Sequence, residues 1–513
     1  YLGERLHVDA QVVQVFAEEA VRGGAAAPLA QLLRALDPIL RKAANLGAWQ
    51  IISPVNACGR VVCIDALAGV QFAVYSEPTV LVARNVGGDE EVPDGVVALL
   101  TVDVVDVLSH VAVRARNEKC FFAAIFDTAV FDEIAALDGS MVALKPSPSG
   151  DAASCERVET APQDSVRSLH QGAQGPRGIV LKQVDFGGTF AIVSSGFSRS
   201  VAGGKSCNLN GLRCQLPEWI KLPASVAIPF GSFDSVLADA GNTAVRQQIQ
   251  AHVASLHAKS DAVEKTLADI RGMVRELRPP PPFVTALRGA FEAEGLPWPG
   301  DAGLKLHAAA WNAITGVWAS KWNDRAYISC RKAGLDHTLV SMAVLCQEVV
   351  KARYAFVIHT TNPSTGDAEE LYAEVVCGLG ETLVGNYAGR ALSFTVSKHD
   401  TPRLVMKSYP NKSVGLYVDQ PTMIFRSDSN AEDLEGYAGA GLYDSIIMSG
   451  GVPRAVDYSA EPLLRDSDFR SGLLHNIAEA GRCIERILGS AQDIEGAVDP
   501  AGNIFILQTR PQV

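Results

Sequence analysis

The sequence predicts an α/β protein with a small β-rich domain, a flexible linker and a larger domain, and three observations support this prediction. Short apolar runs broken by Gly, Pro and Asp follow one another between residues 60 and 145, which is typical of a compact sheet. Residues 145–178 are rich in Ser, Pro, Gly and Gln and almost free of large apolar side chains, as flexible linkers are. Helical patterns and then strand candidates fill the rest of the 513 residues, a length that suits about three domains, or one domain and a large bilobal one.

The composition excludes several classes of protein. The chain is 48% hydrophobic and 20% charged, and it has no uninterrupted apolar run of about 18 residues, so disorder, collagen, a coiled coil and a membrane span are excluded. A net charge of −12 argues against nucleic acid or a membrane surface as the main partner. The ten cysteines form no CxxC pair and no zinc-type cluster, which predicts reduced thiols. Because the first residue is Tyr1 rather than Met, we expect a piece of a longer protein.

The elements are predicted in chain order from hydrophobic periodicity and turn signals. The N-terminal segment, residues 1–54, should hold helices at 6–21 and 28–45. The small domain, residues 55–147, should hold strands at 60–67, 78–85, 96–101, 120–126 and 141–145. After the linker, residues 148–178, the large domain at 179–513 should hold helices over 233–278 and 305–332, strands at 342–350, 355–361, 371–376 and 422–427, a helix near 461–488 and a final hairpin.

Three tryptophans fall on one face of the helix predicted at 305–332, namely Trp311, Trp318 and Trp322. A sugar-stacking platform is conceivable, but an aromatic stripe at helical spacing is far more often part of a core. We therefore expect all three side chains to be buried.

The final hairpin, QDIEGAV followed by NIFILQT, gathers residues with useful chemistry. If its turn centres between Ala501 and Gly502, Glu495 and Gln508 lie directly opposite each other, and Arg510 shares a face with Gln508. Apolar flanks indicate buried strands, in which a carboxylate and a guanidinium need partners. The residues alone leave two interpretations: an internal salt bridge, or a magnesium and phosphate site with hard oxygen ligands and a forked cation.

Two further segments are candidates for phosphate contact. Arg426 ends an apolar strand and is followed by an acidic patch and by Gly436, Gly439 and Gly441, and glycine-rich backbone can cradle phosphate oxygens. Lys205 follows two glycines in GGKSCNL, which is not a Walker A loop because position 199 is not Gly. Acidic turns with glycines are common and a solvated lysine is the simpler interpretation, so neither segment is decisive alone.

His110 is the candidate nucleophile of the small domain. It lies in LSHVAVRARN, where Ser109 could cap a helix and Arg114 and Arg116 follow within two turns. A neutral imidazole is a competent nucleophile near pH 7, and a phosphorylated one remains reactive. A lone histidine beside apolar residues is more often structural, so the pattern alone leaves both roles open.

Taken together, these segments resemble the α-glucan water dikinase family, the starch-phosphorylating enzymes of plants and algae, over nearly the whole chain. Similarity to the family's phosphohistidine domain runs through PTVLVARNVGGDEEVPDGVVALLTVDVVDVLSHVAVRARN. Similarity to the nucleotide-binding domain shared with pyruvate phosphate dikinase and phosphoenolpyruvate synthase runs through GVWASKWNDRAYISCRKAGLDH, AFVIHTTNPSTGD, EVVCGLGETLVG, IFRSDSNAEDLEGYAGAGLYDS and QTRPQV. The resemblance implies a swivelling phosphohistidine β/α domain linked to an ATP-grasp-like bilobal nucleotide-binding domain.

The same resemblance implies roles for nine residues. His110 would carry the phosphoryl group between an ATP site and a glucan site, which would give the linker its purpose. The nucleotide ATP would be held by Lys205, Arg426, Arg510, Glu381, Gln347 and Val349. The ion Mg²⁺ would be ligated by Glu495 and Gln508.

The implied activity is that of a phosphotransferase with paired acceptors. The β-phosphate of ATP would pass through His110 to a glucosyl 6-hydroxyl of a starch-type α-glucan, the γ-phosphate would go to water, and AMP would be released. The implied location is the plastid, either the stroma or the starch granule surface, and the resemblance leaves a homo-oligomer open.

Three alternatives remain at this stage. Phosphoglucan water dikinase is disfavoured because in that family the arginine segment precedes the tryptophan segment, whereas here WASKW comes before RSDSN. A catalytically silent glucan-associated scaffold and a phosphohistidine relay to a separate protein are the other two. The sequence also departs from plant relatives, which carry a CFATC redox pair where this chain has FFAAI at 121–125 and Cys120 one place early. We therefore expect no thiol switch in this segment.

Overall fold

The structure, a computed structural model, describes residues 47–512 with short gaps, together with a few positions between 32 and 43. Within 47–512, the gaps are 72, 88–89, 104, 106, 108, 148–151, 160–180, 182–183, 258–262, 300–307, 385–386, 388, 400–402, 435–436 and 439–440. The helices predicted at 6–21 and 28–45 therefore fall wholly or largely outside the described residues, as does much of the predicted linker.

A seven-stranded sheet forms the small domain. Its strands are β1 Trp49–Ser53, β2 Ala57–Ala66, β3 Val74–Asn85, β4 Asp94–Thr101, β5 Phe121–Ile125, β6 Met141–Pro146 and β7 Ala153–Arg157, in the spatial order β1-β5-β4-β3-β2-β6-β7. Its helices are α1 His110–Asn117 and α2 Thr128–Ala135. The central strands β2 to β5 run parallel, as expected for strands that are covered on both faces.

Successive residues of β3 enter different cores. Val80 and Val82 pack with the α2 side of the sheet, whereas Leu81 and Ala83 pack with the α1 side. This explains why the strand is a continuous apolar run rather than an alternating one. The strand β7, over 153–157, lies in residues that the sequence assigned to the linker, because it pairs with β6 and extends the sheet.

Among the described residues, the large domain contains two main sheets, each with its own hydrophobic core, and two small two-stranded sheets. The first sheet has the order β20-β17-β11-β10-β8, with β8 Ile192–Val193, β10 Ser225–Ile228, β11 Met342–Glu348, β17 Met423–Ser429 and β20 Ser445–Ile447. The helices of this lobe are α4 Ser232–Ala238, α5 Thr243–His257, α6 Val263–Arg275, α7 Pro281–Ala293, α8 Ala308–Ala319 and α9 Asp324–Lys332. Trp311, Trp318 and Trp322 are all buried in this core, which confirms the predicted core role of the tryptophan stripe.

The second sheet forms the other lobe and has the order β15-β14-β13-β12-β22-β23-β9. Its strands are β9 Ile220–Lys221, β12 Tyr354–His359, β13 Glu370–Cys377, β14 Leu392–Ser397, β15 Leu404–Ser408, β22 Gln492–Val498 and β23 Ile504–Pro511. It packs against α3 Gly204–Leu212 and α12 Ser467–Leu488. Smaller elements complete the domain: β16 Val414–Tyr417, β18 Asp433–Leu434, β19 Tyr437–Ala438, β21 Val452–Ala455, α10 Glu381–Val384 and α11 Pro462–Arg465.

The two lobes face each other across a cavity, as the predicted ATP-grasp-like bilobal arrangement requires. Strands β11 and β17 of the first sheet and β22 and β23 of the second sheet supply its walls. None of the helices in the described part of the chain combines the length and the apolar character that crossing a membrane would need.

Candidate active site between the two lobes

A cavity of about 440 Å³ lies between the two sheets of the large domain. Every residue to which the sequence assigned a role lines it. These residues are His110, Lys205, Gln347, Val349, Glu381, Arg426, Glu495, Gln508 and Arg510. Residues more than 300 positions apart in the chain, and from both domains, thus meet in one place.

The terminal hairpin reaches its predicted register by an unexpected route. Val498 pairs with Ile504, which places the turn half a residue earlier than the sequence analysis assumed. A bulge that leaves Leu507 without a ladder partner then shifts the register by one, so that Glu495 does lie opposite Gln508. The predicted pairing is confirmed, and the bulge is the reason that it holds.

The bulge also creates a contact between the two lobes. The Leu507 carbonyl accepts hydrogen bonds from the Gln347 side-chain amide at 3.2 Å and from the Arg426 guanidinium at 3.3 Å. Gln347 and Arg426 belong to the first sheet and Leu507 to the second. One displaced carbonyl therefore helps to fix the distance between the walls of the cavity.

Each predicted phosphate-binding cation is paired with a carboxylate. Lys205 Nζ lies 2.6 Å from Glu432, and Arg426 donates to Glu495 across the cavity. The hairpin pattern predicted that Glu495 and Arg510 converge. In the structure Glu495 instead pairs with Arg426 of the opposite lobe. This ion pair is itself part of the cavity wall.

Arg510 pairs with Asp493, its direct cross-strand neighbour, through contacts of 2.5 and 2.8 Å. Burial alone would raise the pKa of the Asp493 carboxyl, but Arg510 and the nearby His359 outweigh burial and hold this pKa well below its usual range. Asp493 is thus an ionised partner that orients the Arg510 fork. Asp493 was not among the predicted site residues, although its place opposite Arg510 in the predicted hairpin was a usable signal.

Lys205 lies in the first turn of α3, where a carboxylate already accepts hydrogen bonds from the backbone amides. The Asp428 carboxylate accepts hydrogen bonds from the Gly203 amide at 3.0 Å, the Lys205 amide at 2.9 Å and the Ser206 hydroxyl at 2.5 Å. A Cβ at Gly203 would lie 2.4 Å from this carboxylate, so the position needs glycine. The GGKS segment therefore offers a side chain to the cavity rather than free backbone amides.

His110 is the first residue of α1, and its imidazole lines the cavity next to the backbone of Gly441. A Cβ at Gly441 would lie 2.4 Å from the imidazole Cγ and Nδ1, and the Gly441 φ of +67° is itself a conformation that favours glycine. Gly436 and Gly439, the other glycines of this segment, lie outside the described residues. Ser109 occupies the N-cap position of α1, but its side chain makes no capping hydrogen bond.

The loop under the imidazole is braced by the WNDRAY segment. Arg325 donates to the Leu442 carbonyl at 3.0 Å and pairs with Asp444 at 2.6 Å. Asn323 donates to the same Asp444 at 2.8 Å. The WNDRAY segment therefore contributes more than a core tryptophan, because Asn323 and Arg325 also hold the loop against which the His110 imidazole packs.

The two arginines that follow His110, Arg114 and Arg116, do not line the cavity. Arg114 is buried and pairs with Glu91 at 2.9 Å inside the small domain. Arg116 donates to the Val107 carbonyl at 2.8 Å. Burial lowers the pKa of Arg116 to about 10, against the opposing effect of Glu374 and other acidic groups of the large domain. Both side chains support the position of α1 rather than its chemistry.

The small domain is docked on the large one through a few polar contacts. Lys332, at the end of α9, donates to the Val92 carbonyl at 2.5 Å and approaches Glu118 at 3.3 Å and Asp94 at 3.5 Å. These carboxylates raise the pKa of the Lys332 ammonium in spite of its burial, which alone would lower it.

The donor set of Glu495 and Gln508 fits a hard divalent cation, because both side chains can present oxygen. No three His, Cys, Asp or Glu side chains of the described residues come together as a metal cage. A Mg²⁺ ion at this site would therefore take its remaining ligands from phosphates and water, as Mg²⁺ usually does in nucleotide sites.

Comparison with known proteins agrees with this architecture. The profile of the alpha-glucan water dikinase phosphohistidine-like domain matches residues 48–161, and that of the pyruvate phosphate dikinase AMP/ATP-binding domain matches residues 303–513. The chain therefore resembles proteins that combine a phosphohistidine-like domain with an AMP/ATP-binding domain.

Within that class the chain is a relative of the alpha-glucan water dikinases, to which it is similar along its whole length. It is 50% identical over 513 residues to the chloroplastic enzyme of Solanum tuberosum, and 47% identical over 516 residues to enzyme 1 of Arabidopsis thaliana. It is 48% identical over 514 residues to the enzyme of Citrus reticulata. Each match takes in 100% of this chain but only 34 to 36% of the relative, so the chain spans about a third of their length.

Proposed function

We propose that the chain is the catalytic region of an α-glucan, water dikinase. ATP, water and His110 give AMP, inorganic phosphate and phosphohistidine, and the phosphohistidine then passes its phosphoryl group to a glucosyl 6-hydroxyl of a starch-type α-glucan. The β-phosphate of ATP is the group transferred, and the γ-phosphate goes to water. The observation that carries this proposal is the entry of His110 into the cavity that Lys205, Arg426 and Arg510 line.

The three cations are proposed to hold the triphosphate. Guanidinium forks suit phosphate oxygens, and phosphoryl transfer needs positioning and positive charge more than covalent help from the protein. Their carboxylate partners, Glu432, Glu495 and Asp493, orient the cations before ATP arrives. This lowers the reorganisation that the transition state demands.

Glu495 and Gln508 are proposed as the protein ligands of Mg²⁺. When bound, the ion would neutralise charge on the phosphate oxygens and help to align them. Because Glu495 also pairs with Arg426, the same carboxylate would link the ion and a phosphate-binding arginine.

The connection after β11 is proposed to face the adenine. The Val349 amide donates to the Thr422 carbonyl at 3.0 Å, and the Val349 carbonyl is proposed to accept from the adenine amino group. Gln347 would support this segment through its bond to Leu507. Glu381, exposed at the start of α10, would lie near the sugar of the nucleotide.

The acceptor must be reached in another pose of the small domain. In the docked pose the imidazole rests against Gly441 and the nucleotide cavity, so a glucan hydroxyl needs His110 to move away. The small domain is therefore proposed to swivel on the residues that join it to the large domain. Since the relatives are named chloroplastic, we place this reaction in the plastid.

Labelled ATP tests the proposal directly. With β-³²P ATP and Mg²⁺, the full chain should acquire acid-labile label, and a soluble α-glucan added afterwards should take that label from the protein. With γ-³²P ATP, the label should appear in inorganic phosphate only. Label on the protein from the γ position, or AMP formation without protein label, would contradict the scheme.

The acceptor decides among the alternatives. A dikinase for unphosphorylated glucan should label native and phosphate-free glucan equally well, whereas a phosphoglucan water dikinase should label only glucan that already carries phosphate. Protein label that no glucan removes would indicate a relay to another protein. Absence of any protein label would indicate a silent scaffold.

A further inference from the structure

A second cavity, of about 300 Å³, lies in the first lobe and shares no lining residue with the nucleotide cavity. It is lined by Val184, Gly231, Phe233, Asp234, Trp318, Lys321 and residues 338–342. Met342 begins β11, and Gln347, near the other end of this strand, lines the nucleotide cavity. At about 3.3 Å per residue, some 17 Å of strand separates the two residues.

Polar groups around this cavity lack partners. The indole N–H of Trp318, a residue only 1% exposed, has no hydrogen-bond partner among the described residues. The buried Ser232 hydroxyl, between the lining residues Gly231 and Phe233, has none either. Buried polar groups are normally satisfied, so the unpartnered N–H of Trp318, a residue that lines the cavity, is available to a ligand or to water.

Lys321 adds a cation to this cavity. Within the described part of the chain its ammonium makes no hydrogen bond and no ion pair, and it lies 5.2 Å from the centroid of the Trp322 ring. Burial lowers the pKa of Lys321 to about 8, and Asp234 acts in the opposite direction. Burial likewise raises the pKa of the Asp234 carboxyl. The Asp234 side chain is nevertheless exposed and the Lys321 side chain is half-buried, so both groups can be reached by solvent or by a ligand.

The arrangement selects a particular ligand chemistry. Two donors, the Lys321 ammonium and the Trp318 N–H, suit an anionic group, while the Asp234 carboxylate suits a hydroxyl that donates to it. Val340 and Met342 offer apolar wall for a short carbon skeleton. The volume is at the lower end of the range for ligand cavities, so a nucleotide or a polymer chain would not fit.

We propose that this cavity binds a small hydroxylated organic anion, with its phosphate or carboxylate on Lys321 and Trp318 and a hydroxyl group on Asp234. This inference does not depend on the dikinase function, because no residue of the nucleotide cavity takes part. Sugar phosphates and hydroxy acids share the required chemistry, and separate arms of one experiment distinguish them.

Isothermal titration calorimetry on the full chain tests the site, with the nucleotide cavity saturated by a non-hydrolysable ATP analogue and Mg²⁺. The probes are glucose 6-phosphate, gluconate and, as the neutral control, glucose. At least one anion should bind with one site per chain, and glucose should not. Which anion binds assigns the group to the phosphate or the carboxylate class.

Variants locate the binding. Lys321→Met should weaken the anion at least about tenfold, since it removes a charged hydrogen bond, and Trp318→Phe should weaken it several-fold. Lys265→Met, which removes an exposed lysine of α6, should bind as the parent does. Melting temperatures check folding, and Trp318→Phe carries the test if Lys321→Met does not fold. Absence of binding by either anion at millimolar concentration, or unchanged affinity in the folded variants, overturns the proposal.

Discussion

The nucleotide cavity and the surface on which the small domain docks are built in different ways. In the cavity, one ion pair joins Arg426 to Glu495 across the two lobes, and strand register fixes a second, that of Arg510 with Asp493. At the docking surface, the polar contacts seen among the described residues centre on Lys332, whose carboxylate partners Asp94 and Glu118 are each 37% exposed. Arg390 stacks over the Phe126 ring there, at 4.9 Å.

This difference assigns rigidity and mobility to separate parts of the molecule. Buried ion pairs fix side chains in one geometry, because breaking such a pair leaves an uncompensated charge. Partly exposed contacts are worth little each and can be exchanged for water. The large domain therefore holds the chemistry ready, while the small domain can leave and return with His110. Four substitutions and one oxidation treatment test this division, from the largest expected effect to the smallest.

Removal of the proposed nucleophile, the His110 imidazole, should have the largest effect on phosphoryl transfer. His110→Ala should abolish both acid-labile labelling of the protein from β-³²P ATP and phosphorylation of glucan, because no positioning replaces a missing nucleophile. Circular dichroism and the melting temperature should stay close to those of the parent. His475→Ala, which removes an exposed histidine of α12, is the matched control. Acid-labile β-derived phosphate on His110→Ala would show that another residue carries it.

Glu495→Gln should reduce phosphoryl transfer by orders of magnitude and raise the Mg²⁺ concentration needed for half-maximal rate. The substitution keeps the shape of the side chain but removes the charge proposed to hold the ion and the partner of Arg426.

Glu432→Gln separates these two losses. It also breaks a cavity ion pair, that of Lys205, but removes no proposed metal ligand. We expect this variant to lose rate with little change in Mg²⁺ dependence. If Glu495→Gln behaves in the same way, Glu495 is a positioning residue and not a ligand.

Lys332→Met should act on one half-reaction only. Loss of its bonds to Val92 and the nearby carboxylates should weaken docking by about 1.5 kcal/mol, or roughly tenfold. Labelling of His110 by ATP should slow accordingly, whereas transfer from phosphorylated protein to glucan should proceed at the parent rate. Single-turnover rates of the two steps measure this, with Lys407→Met, at an exposed position of β15, as control. Equal slowing of both steps would argue against a separable docking contact.

The sequence predicted the local half of this structure well. Apolar runs identified β2 to β6 of the small domain and β11, β12, β13, β17 and the final hairpin of the large one, but they missed β1, β7, β10, β14 and β15. The tryptophan stripe was rightly assigned to the core. The pairing of Glu495 with Gln508 followed from the period of two, although the turn and the bulge at Leu507 compensated each other. Register within a hairpin is a local property, so sequence spacing can predict it.

The non-local half was predicted only through resemblance, or missed. Asp428 caps a helix more than 200 positions earlier in the chain, and Lys332 reaches the other domain. Periodicity does not encode such partners, because they depend on how finished elements pack. The RSDSN acidic patch illustrates the limit. It resembled an ordinary polar turn, yet Asp428 and Glu432 both position Lys205.

Oxidation should have the smallest effect, and the core of the small domain explains why. Phe121 and Ile125, which the family resemblance aligns with the plant redox pair, are both fully buried in β5. Residues four apart in a strand have Cα atoms about 13 Å apart, well beyond the reach of about 7 Å that a disulfide allows. Even cysteines placed at 121 and 125 could not pair unless the strand broke.

The remaining thiol of this segment is equally unsuited to switching. Cys120 is 2% exposed and unpaired by disulfide, and burial raises the pKa of its thiol far above the usual value, so little reactive thiolate forms. Activity should therefore be the same, within error, after treatment with oxidised or reduced dithiothreitol. Cys63→Ser and Cys214→Ser, which remove exposed thiols, control for reactions elsewhere. A large reversible gain in activity on reduction that disappears in Cys120→Ser would show that Cys120 acts as a thiol switch. Such a result would also require the core around the start of β5 to open far more than the structure suggests.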